Sequence, residues 1–342
     1  MAGASAGVEK ARARLAIAAV ALIAGTPVAS EPFYLGKTLS IVVGTQSGGG
    51  FDINSRMLAR HIGRHIPGRP NVIVANMVGA GSLMAVRHLE TAAPRDGTVV
   101  VNFNFGLIGM SRLVPDRAPI DFRKFAWIGS ISQDLTTCYL WHTFGVRSLA
   151  DLKARKDVHF GLSSPGGNED FNQRILKSVF GVDLKQVGGY PGSAALKLAL
   201  ERGELDGACG SWNSVPEDWI AKKLIVPVYR TGETPDPDMP PGLPSVLELA
   251  GTPRDRAIVR LLTAHNELGR PYVVSSAVPA DRVEILRQAF EATMADPELL
   301  ADAARLRMPV SPRTAAQAMR IVDEIYATPD DVVAAARKVM GE

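Results

Sequence analysis

The 342-residue sequence has little net charge of either sign and only two cysteines. Its 38 basic and 35 acidic residues leave a formal charge of +3, which is neither the basic excess of a nucleic-acid binder nor an acidic tail. We therefore expect no nucleic-acid partner. The 46% of hydrophobic and 21% of charged residues are typical of a soluble globular protein. The length is sufficient for two modest domains.

Complete phosphate-binding motifs are also missing. The glycines at 48–50 are followed by Phe51 and Asp52, where a P-loop requires lysine and then serine or threonine. A dinucleotide fingerprint that starts at Gly79 has Met84 in place of its third glycine. The glycine-rich loops therefore match neither nucleotide-binding motif.

The motifs of common hydrolases are absent as well. His61 and His65 are four residues apart in a helical pattern, but Ile62 replaces the glutamate that a zincin needs. No Gly-x-Ser-x-Gly elbow surrounds Ser163 or Ser211. We expect no metal site and no enzyme active site in this chain.

The first 30 residues have the order of a secretory signal peptide. A basic segment precedes the apolar run at 15–24, and the small residues at 28–30 offer a cleavage site before Glu31. The run is short for a membrane span, although an uncleaved anchor is the alternative interpretation. Removing residues 1–30 leaves 35 basic and 34 acidic residues. We expect a mature periplasmic protein that begins near Glu31.

The two cysteines, Cys138 and Cys209, both lie in segments with strand patterns. In an oxidising compartment they can form a disulfide. Two separate buried thiols are the alternative, because the sequence does not give the Cα separation on which a disulfide depends.

Hydrophobic periodicity predicts two blocks of alternating strands and helices. The first has strands at Thr38–Val43, Asn71–Ala75 and Thr98–Phe103, with helices at Asp52–Ile66 and Ser82–Ala93. The second starts near Ala126, with strands at Thr136–Trp141, His159–Leu162, Leu184–Val187, Asp206–Cys209 and Leu224–Tyr229 and helices at Ser148–Ala154, Phe171–Phe180 and Ser193–Glu201. A late strand at Pro271–Ser275 precedes helices at Ala280–Met294, Pro297–Leu306, Thr314–Tyr326 and Asp330–Val339. This order indicates an α/β fold with mainly parallel sheets.

Glycine-rich loops follow several of these strands and precede helices. They lie at 44–51, 79–81, 163–167 and 188–193. Ligands of open α/β sheets bind at the carboxyl ends of the strands, where the unpaired N–H groups of helix N-termini favour an anion. Asp52 would repel that anion, so a local capping role is the main alternative to ligand contact.

Several motifs resemble those of the TctC or Bug family, the solute receptors of tripartite tricarboxylate transporters. The family's motif of valine, proline, two residues and Gly-Gly-x-x-Asp…Arg corresponds to Val43–Asp52 with Arg56, and its signature of asparagine and then Pro-Gly-Ala-Gly corresponds to Asn76–Ser82. Further matches are Pro94–Gly97, Tyr190–Ser193 with Leu200–Asp206, and Gly269–Tyr272 with Val278–Arg282. The chain departs from the family at Gly44, where a proline is usual, and lacks the histidine after the second-lobe glycine loop, near Asp170 or Phe171.

The resemblance implies a type II periplasmic binding-protein fold, in which two α/β lobes close around a central cleft. Residues 31–133 and 226–342 would form the first lobe and residues 134–225 the second. The implied function is an extracytoplasmic receptor that delivers a small organic carboxylate to an integral-membrane transporter. We expect a monomer without a cofactor.

The resemblance also implies which residues bind the ligand. Backbone N–H groups, hydroxyls and ordered waters would hold the carboxylate without a buried arginine. The expected site residues are Thr45, Gln46, Ser47, Gly49, Phe51, Asp52, Ala80, Gly81, Ser82, Ser163, Ser164, Gly166, Tyr190 and Ser193. Tyr190 could instead be a packed aromatic residue.

Two other functions remain open from the sequence. One is a receptor that reports its ligand to a membrane sensor kinase, and the other is a hydrolase on the same scaffold. The loops do not identify the carboxylate, because binding through the backbone does not distinguish one organic acid from another.

Overall fold

The computed structural model describes residues 31–162, 167–190, 192–232 and 239–341. The expected signal peptide lies outside these residues, so its cleavage stays a prediction. No helix within the described ranges has the length and apolarity that crossing a bilayer requires.

The strands and helices alternate through most of the chain. The strands are β1 (Thr38–Val43), β2 (Asn71–Asn76), β3 (Val99–Asn102), β4 (Phe125–Ser130), β5 (Thr136–Trp141), β6 (Val158–Gly161), β7 (Leu184–Val187), β8 (Gly207–Ser211), β9 (Ile225–Arg230), β10 (Pro271–Ser275) and β11 (Arg313–Thr314). The helices are α1 (Gly50–Ile62), α2 (Leu83–Thr91), α3 (Gly106–Leu113), α4 (Leu149–Lys153), α5 (Asn168–Arg174), α6 (Ser193–Glu201), α7 (Glu217–Ala221), α8 (Val246–Leu249), α9 (Pro253–Thr263), α10 (Ala280–Met294), α11 (Pro297–Leu306), α12 (Ala315–Tyr326) and α13 (Asp330–Met340).

The first lobe is built on a six-stranded sheet in the order β11-β4-β10-β3-β1-β2. Strand β1 runs parallel to both β2 and β3, whereas β10 is antiparallel to β3 and β4. Since β1, β2 and β3 run in the same direction, the loops that follow them lie along one edge of the sheet.

The second lobe repeats this plan with a five-stranded sheet in the order β7-β6-β8-β5-β9. Strand β6 is parallel to β7 and β8, and β5 is antiparallel to β8 and β9. The expected fold class of two α/β lobes is confirmed. Strand β9 pairs with β5 and so belongs to this sheet; the expected lobe boundaries, with the second lobe at residues 134–225, stay a prediction.

Several elements were not predicted from the sequence. Helix α3 is buried on most of its surface, so it lacks the polar face that marks an amphipathic helix. Strand β4 contains Gly129, whose φ of 156° is unusual in a strand. Helix α9 was also missed, although Thr252 caps it and Pro253 stands in its first turn.

Buried polar and aromatic side chains join the two lobes behind the cleft. The Thr136 hydroxyl, at the start of β5, forms a hydrogen bond of 2.9 Å with the hydroxyl of Thr231, the residue after β9. It also accepts hydrogen bonds from the side-chain amides of Asn172 and Asn266 at 3.0 and 3.2 Å. His265 is fully buried and contacts the ring of Phe105 from the first lobe and the ring of Phe171 from the second. Burial lowers the pKa of His265 to about 4, so this contact is neutral at neutral pH.

Cys138 and Cys209 form a disulfide. They stand directly opposite each other on the antiparallel strands β5 and β8, with their Cα atoms 4.0 Å apart. The register therefore settles the alternative that the sequence left open. The bond lies in the core of the second lobe, where both residues are buried.

We expect a Cys138→Ala/Cys209→Ala variant to unfold more easily than the oxidised protein. The bond closes a loop with a sequence separation of 71, and loops of this length contribute about 2–4 kcal/mol to the free energy of unfolding. Denaturant unfolding with and without a reductant measures the effect. The reductant should lower the stability of the wild type to that of the variant and leave the variant unchanged. An equal response of both proteins would contradict the assignment.

Candidate functional site

A cavity of about 550 Å³ lies in the cleft between the lobes, within the range of about 300–1,000 Å³ typical of small-molecule sites. The first lobe contributes the start of α1, the loop after β3 and the segment after α11. The second lobe contributes the start of α5 and the residues at and after the end of β8. The lining residues are Gly50, Phe51, Ile53, Asn54, Asn104, Phe105, Ser132, Asp134, Gly167, Asn168, Glu169, Gly210, Ser211, Asn213, Ser214, Arg270, Leu306, Arg307, Met308 and Pro309.

Helix α1 begins at this cavity, and no side chain caps its first turn. Gly49 is the N-cap residue and has an extended backbone. Gly50 and Phe51 line the cavity. The first N–H groups of a helix have no intrahelical acceptor and carry a partial positive charge. This end of α1 can therefore bind an anion, and it places Phe51, an expected site residue, in the cleft.

Helix α5 begins on the opposite wall. Its N-cap residue, Gly167, provides no side-chain cap, and Asn168 and Glu169 line the cavity with it. The helix continues into a π-helical segment at Ile175–Val179. The expected site residues Ser163, Ser164 and Gly166 precede α5 but lie outside the described residues, so their role stays a prediction.

Arg270 is one of the cavity residues that were not among the expected site residues. Its guanidinium lies 4.6 Å from the centre of the Phe51 ring and 3.2 Å from the Asp134 carboxylate. A Cβ atom added to Gly50 would come within 3.1 Å of Arg270 Nη2, which places the cation at the start of α1. The Arg270 side chain is 15% exposed, so the cleft contains a partly buried arginine as well as the neutral donors that were expected there.

Asp134 is held beside Arg270 by the close approach of two chain segments. A Cβ atom at Gly269 would lie 2.5 Å from the backbone nitrogen of Asp134, so only glycine fits there. The Asp134 N–H donates to the Asn266 carbonyl at 2.8 Å. The sequence identifies Gly269–Tyr272 only as a match to a family motif. Nothing in the local sequence pattern predicts that this segment contacts residue 134.

Asp52 is occupied by the loop that precedes α1. Its carboxylate accepts hydrogen bonds from the Gly48 N–H at 2.8 Å, from Arg56 at 2.9 Å and from the Asn76 amide at 2.9 Å. Asn76 also donates to the Thr45 carbonyl at 3.0 Å. Asp52 is 1% exposed and does not line the cavity. The structure thus agrees with the local role that was the alternative to ligand contact.

The same contacts determine the ionisation of Asp52. Burial alone would raise the pKa of its carboxyl group, but the hydrogen bonds from Arg56, Gly48 and Asn76 outweigh burial and lower the pKa to about 2. Arg56, which belongs to the family-like motif, is therefore part of this network. The charge of Asp52 stabilises the loop shape.

Ser82 also has a structural role. Its hydroxyl donates to the Gly44 carbonyl at 3.1 Å and accepts from the Asn104 N–H at 3.0 Å, which joins the loops after β1 and β3. A Cβ atom at Gly44 would lie 2.5 Å from the Ser82 Cβ. This contact explains physically why this chain has glycine where related motifs have proline.

The other expected site residues do not line the cavity. Gln46, Ser47, Gly49, Ala80 and Gly81 are exposed. The Thr45 hydroxyl is buried and has no hydrogen-bond partner in the described ranges. Tyr190 packs against the apolar core of the second lobe. Ser193 is the first residue of α6, and its side chain is not described. Ligand contact by these residues stays a prediction.

A larger groove of about 820 Å³ lies outside the cleft, along the edge strand β9 and the segment Met239–Pro244. It is mainly apolar, and its charged residues are Arg147 and Lys223. No cluster of three or more histidine, cysteine, aspartate or glutamate residues within the described part of the chain could hold a metal ion. The interlobe cavity remains the better candidate because two helix N-termini and the partly buried Arg270 guanidinium meet there.

The described fold has many counterparts among solved structures. A TctC solute-binding protein from Polaromonas superposes with a TM-score of 0.69 at 17% identity, covering 90% of this chain and 99% of that one. The periplasmic binding protein BugD superposes with a TM-score of 0.64 at 18% identity, covering 90% of this chain and 98% of that one. MatC from Rhodopseudomonas palustris, solved with bound malate, superposes with a TM-score of 0.64 at 17% identity, covering 87% of this chain and 99% of that one. Neither a family model nor a curated protein sequence matches the chain. The resemblance that the motifs indicate is thus confirmed at the level of the fold.

We expect Asp52→Asn to lower the free energy of unfolding at neutral pH by about 1–3 kcal/mol, because three donors lose a charged acceptor. The pKa of Asp52 is about 2 in the folded protein against an ordinary 3.8. Its contribution is therefore complete above pH 4 and is lost as the pH falls toward 2. Denaturant unfolding across this range should show the difference between wild type and variant shrinking.

Asp116→Asn is the matched control for this prediction, since Asp116 is exposed and its substitution should change stability by less than about 0.5 kcal/mol. A difference between wild type and Asp52→Asn that stays constant from pH 5 to pH 2 would show that the Asp52 charge does not stabilise the loop.

Proposed function

We propose that this protein is an extracytoplasmic receptor that binds a small organic carboxylate between its lobes and does not turn it over. The observation that carries the proposal is the meeting of Arg270 and the uncapped start of α1 at one cavity. Both attract a negative charge, and a guanidinium can bind a carboxylate through two hydrogen bonds.

The structural neighbours support this class of function. MatC was solved with malate, and another Rhodopseudomonas palustris protein, with a TM-score of 0.65 at 19% identity, was solved with adipate. Two further neighbours are described as a TctC solute-binding protein and a periplasmic binding protein. By analogy, we infer a periplasmic location, in accord with the signal-like residues 1–30, and an integral-membrane transporter as the partner that receives the ligand.

Closure of the lobes would trap the ligand. An ion pair already joins them, between Arg307 at the end of α11 and Glu217 in α7, at 2.9 Å. Both side chains are largely exposed, so the pair contributes little energy by itself. A ligand favours the closed form only through its greater affinity for that form. Contacts of the ligand with both lobes would supply that difference.

We expect Arg270→Gln to weaken carboxylate binding at least tenfold. Hydrogen bonds to a charged group contribute about 1.5–3 kcal/mol, which corresponds to roughly a 10- to 150-fold change in affinity. Titration calorimetry with succinate, malate, glutarate and adipate measures the effect, after a thermal-shift screen has ranked the acids.

Arg282→Gln is the matched control. Arg282 also lies over an aromatic ring, 3.6 Å from the centre of Phe33, but it does not line the cavity, so binding should be unchanged. Equal affinities of wild type and Arg270→Gln would remove Arg270 from the site. Consumption of a bound acid, followed by NMR, would contradict a receptor without turnover.

A further inference from the structure

The cleft contains more buried hydrogen-bond acceptors than a plain carboxylate can satisfy. Asp134 Oδ1, Asn54 Oδ1 and Asn168 Oδ1 are all buried without a partner among the described residues, and all three residues line the cavity. Asp134 and Asn54 are only 4% and 2% exposed. The free oxygen of Asn54 is a true acceptor, because its amide nitrogen already donates to the Gly50 carbonyl at 2.8 Å.

An ionised carboxylate offers only acceptors. A plain dicarboxylate in this cavity can use the start of α1 and Arg270, whose Nε is also buried without a partner. It cannot donate to any of the three oxygens, and each buried acceptor left unpaired costs free energy. The ligand that fits both sets therefore accepts at one end and donates close by.

The charges in the cavity lead to the same ligand. The Asp134 carboxylate already balances the Arg270 guanidinium at 3.2 Å. A second carboxylate placed near Asp134 would face a like charge with little solvent to screen it. A positive group in that place would be attracted to Asp134 and would leave Arg270 free to hold the ligand's carboxylate.

On the basis of the proposed function, we propose that the ligand is a carboxylate that also carries a protonated amine, and that Asp134 is the residue that selects it. An ammonium group has three donors. It pairs with Asp134 Oδ1, while the carboxylate of the same ligand lies at Arg270 and the start of α1. Asn54 and Asn168, one from each lobe, accept its remaining hydrogen bonds.

The test compares acids that differ only in the amine. We expect calorimetry on the wild type to show that, in the pair that binds best, the amine-bearing acid binds at least tenfold tighter. The pairs are aspartate and succinate, glutamate and glutarate, and 2-aminoadipate and adipate. This comparison requires no variant. In Asp134→Asn the preference should fall at least tenfold, because the amine-bearing acid loses affinity while the plain acid does not.

Asp121→Asn is the control, since Asp121 also pairs with an arginine, Arg123, at 2.9 Å but lies outside the cavity. Its preference should equal that of the wild type. Plain acids that bind as tightly as their amine-bearing partners would overturn the inference and leave the proposed function intact. Equal losses of affinity for the amine-bearing and the plain acid in Asp134→Asn would have the same consequence. If neither the plain nor the amine-bearing acids bind, both this inference and the proposed function are contradicted.

Discussion

The start of helix α1 is the constraint on which the site depends. A helix leaves its first N–H groups without acceptors, and most helices satisfy some of them with a serine, threonine, aspartate or asparagine side chain. Here the N-cap residue is Gly49, so no side chain competes with a ligand for these donors. Helix α5 on the other lobe begins in the same way at Gly167. An anion in the cleft can replace the missing cap of α1.

The uncapped helix requires a loop that stays in shape without the cap. Asp52 provides this by turning its carboxylate back to the Gly48 N–H and by binding Arg56 and Asn76. The Ser82 hydroxyl then joins the backbone at Gly44 to Asn104. The polar side chains of the two family-like motifs are thus mainly used within the protein. These contacts hold the loop backbone at the start of α1 in place.

The sequence predicted local structure well where the signals were local. Strands β1, β5 and β10 and helices α10 and α11 have the predicted bounds, because runs of buried residues end at caps, prolines and glycines. The position of the cleft at the carboxyl ends of strands followed from the α/β alternation. Local patterns failed for α3, whose residues are nearly all buried.

Arg270 and Asp134 show why the chemistry of the cleft was harder to predict than its position. The two residues are 136 positions apart, and only the close approach at Gly269 brings them together. A cleft lined by neutral donors alone would accept any acid of suitable length. A guanidinium paired with a carboxylate makes the cleft more selective. The two charges nearly cancel at a distance, but a bound ligand meets separate positive and negative groups. Selectivity then depends on the positions of charges within the ligand, more than on its total charge.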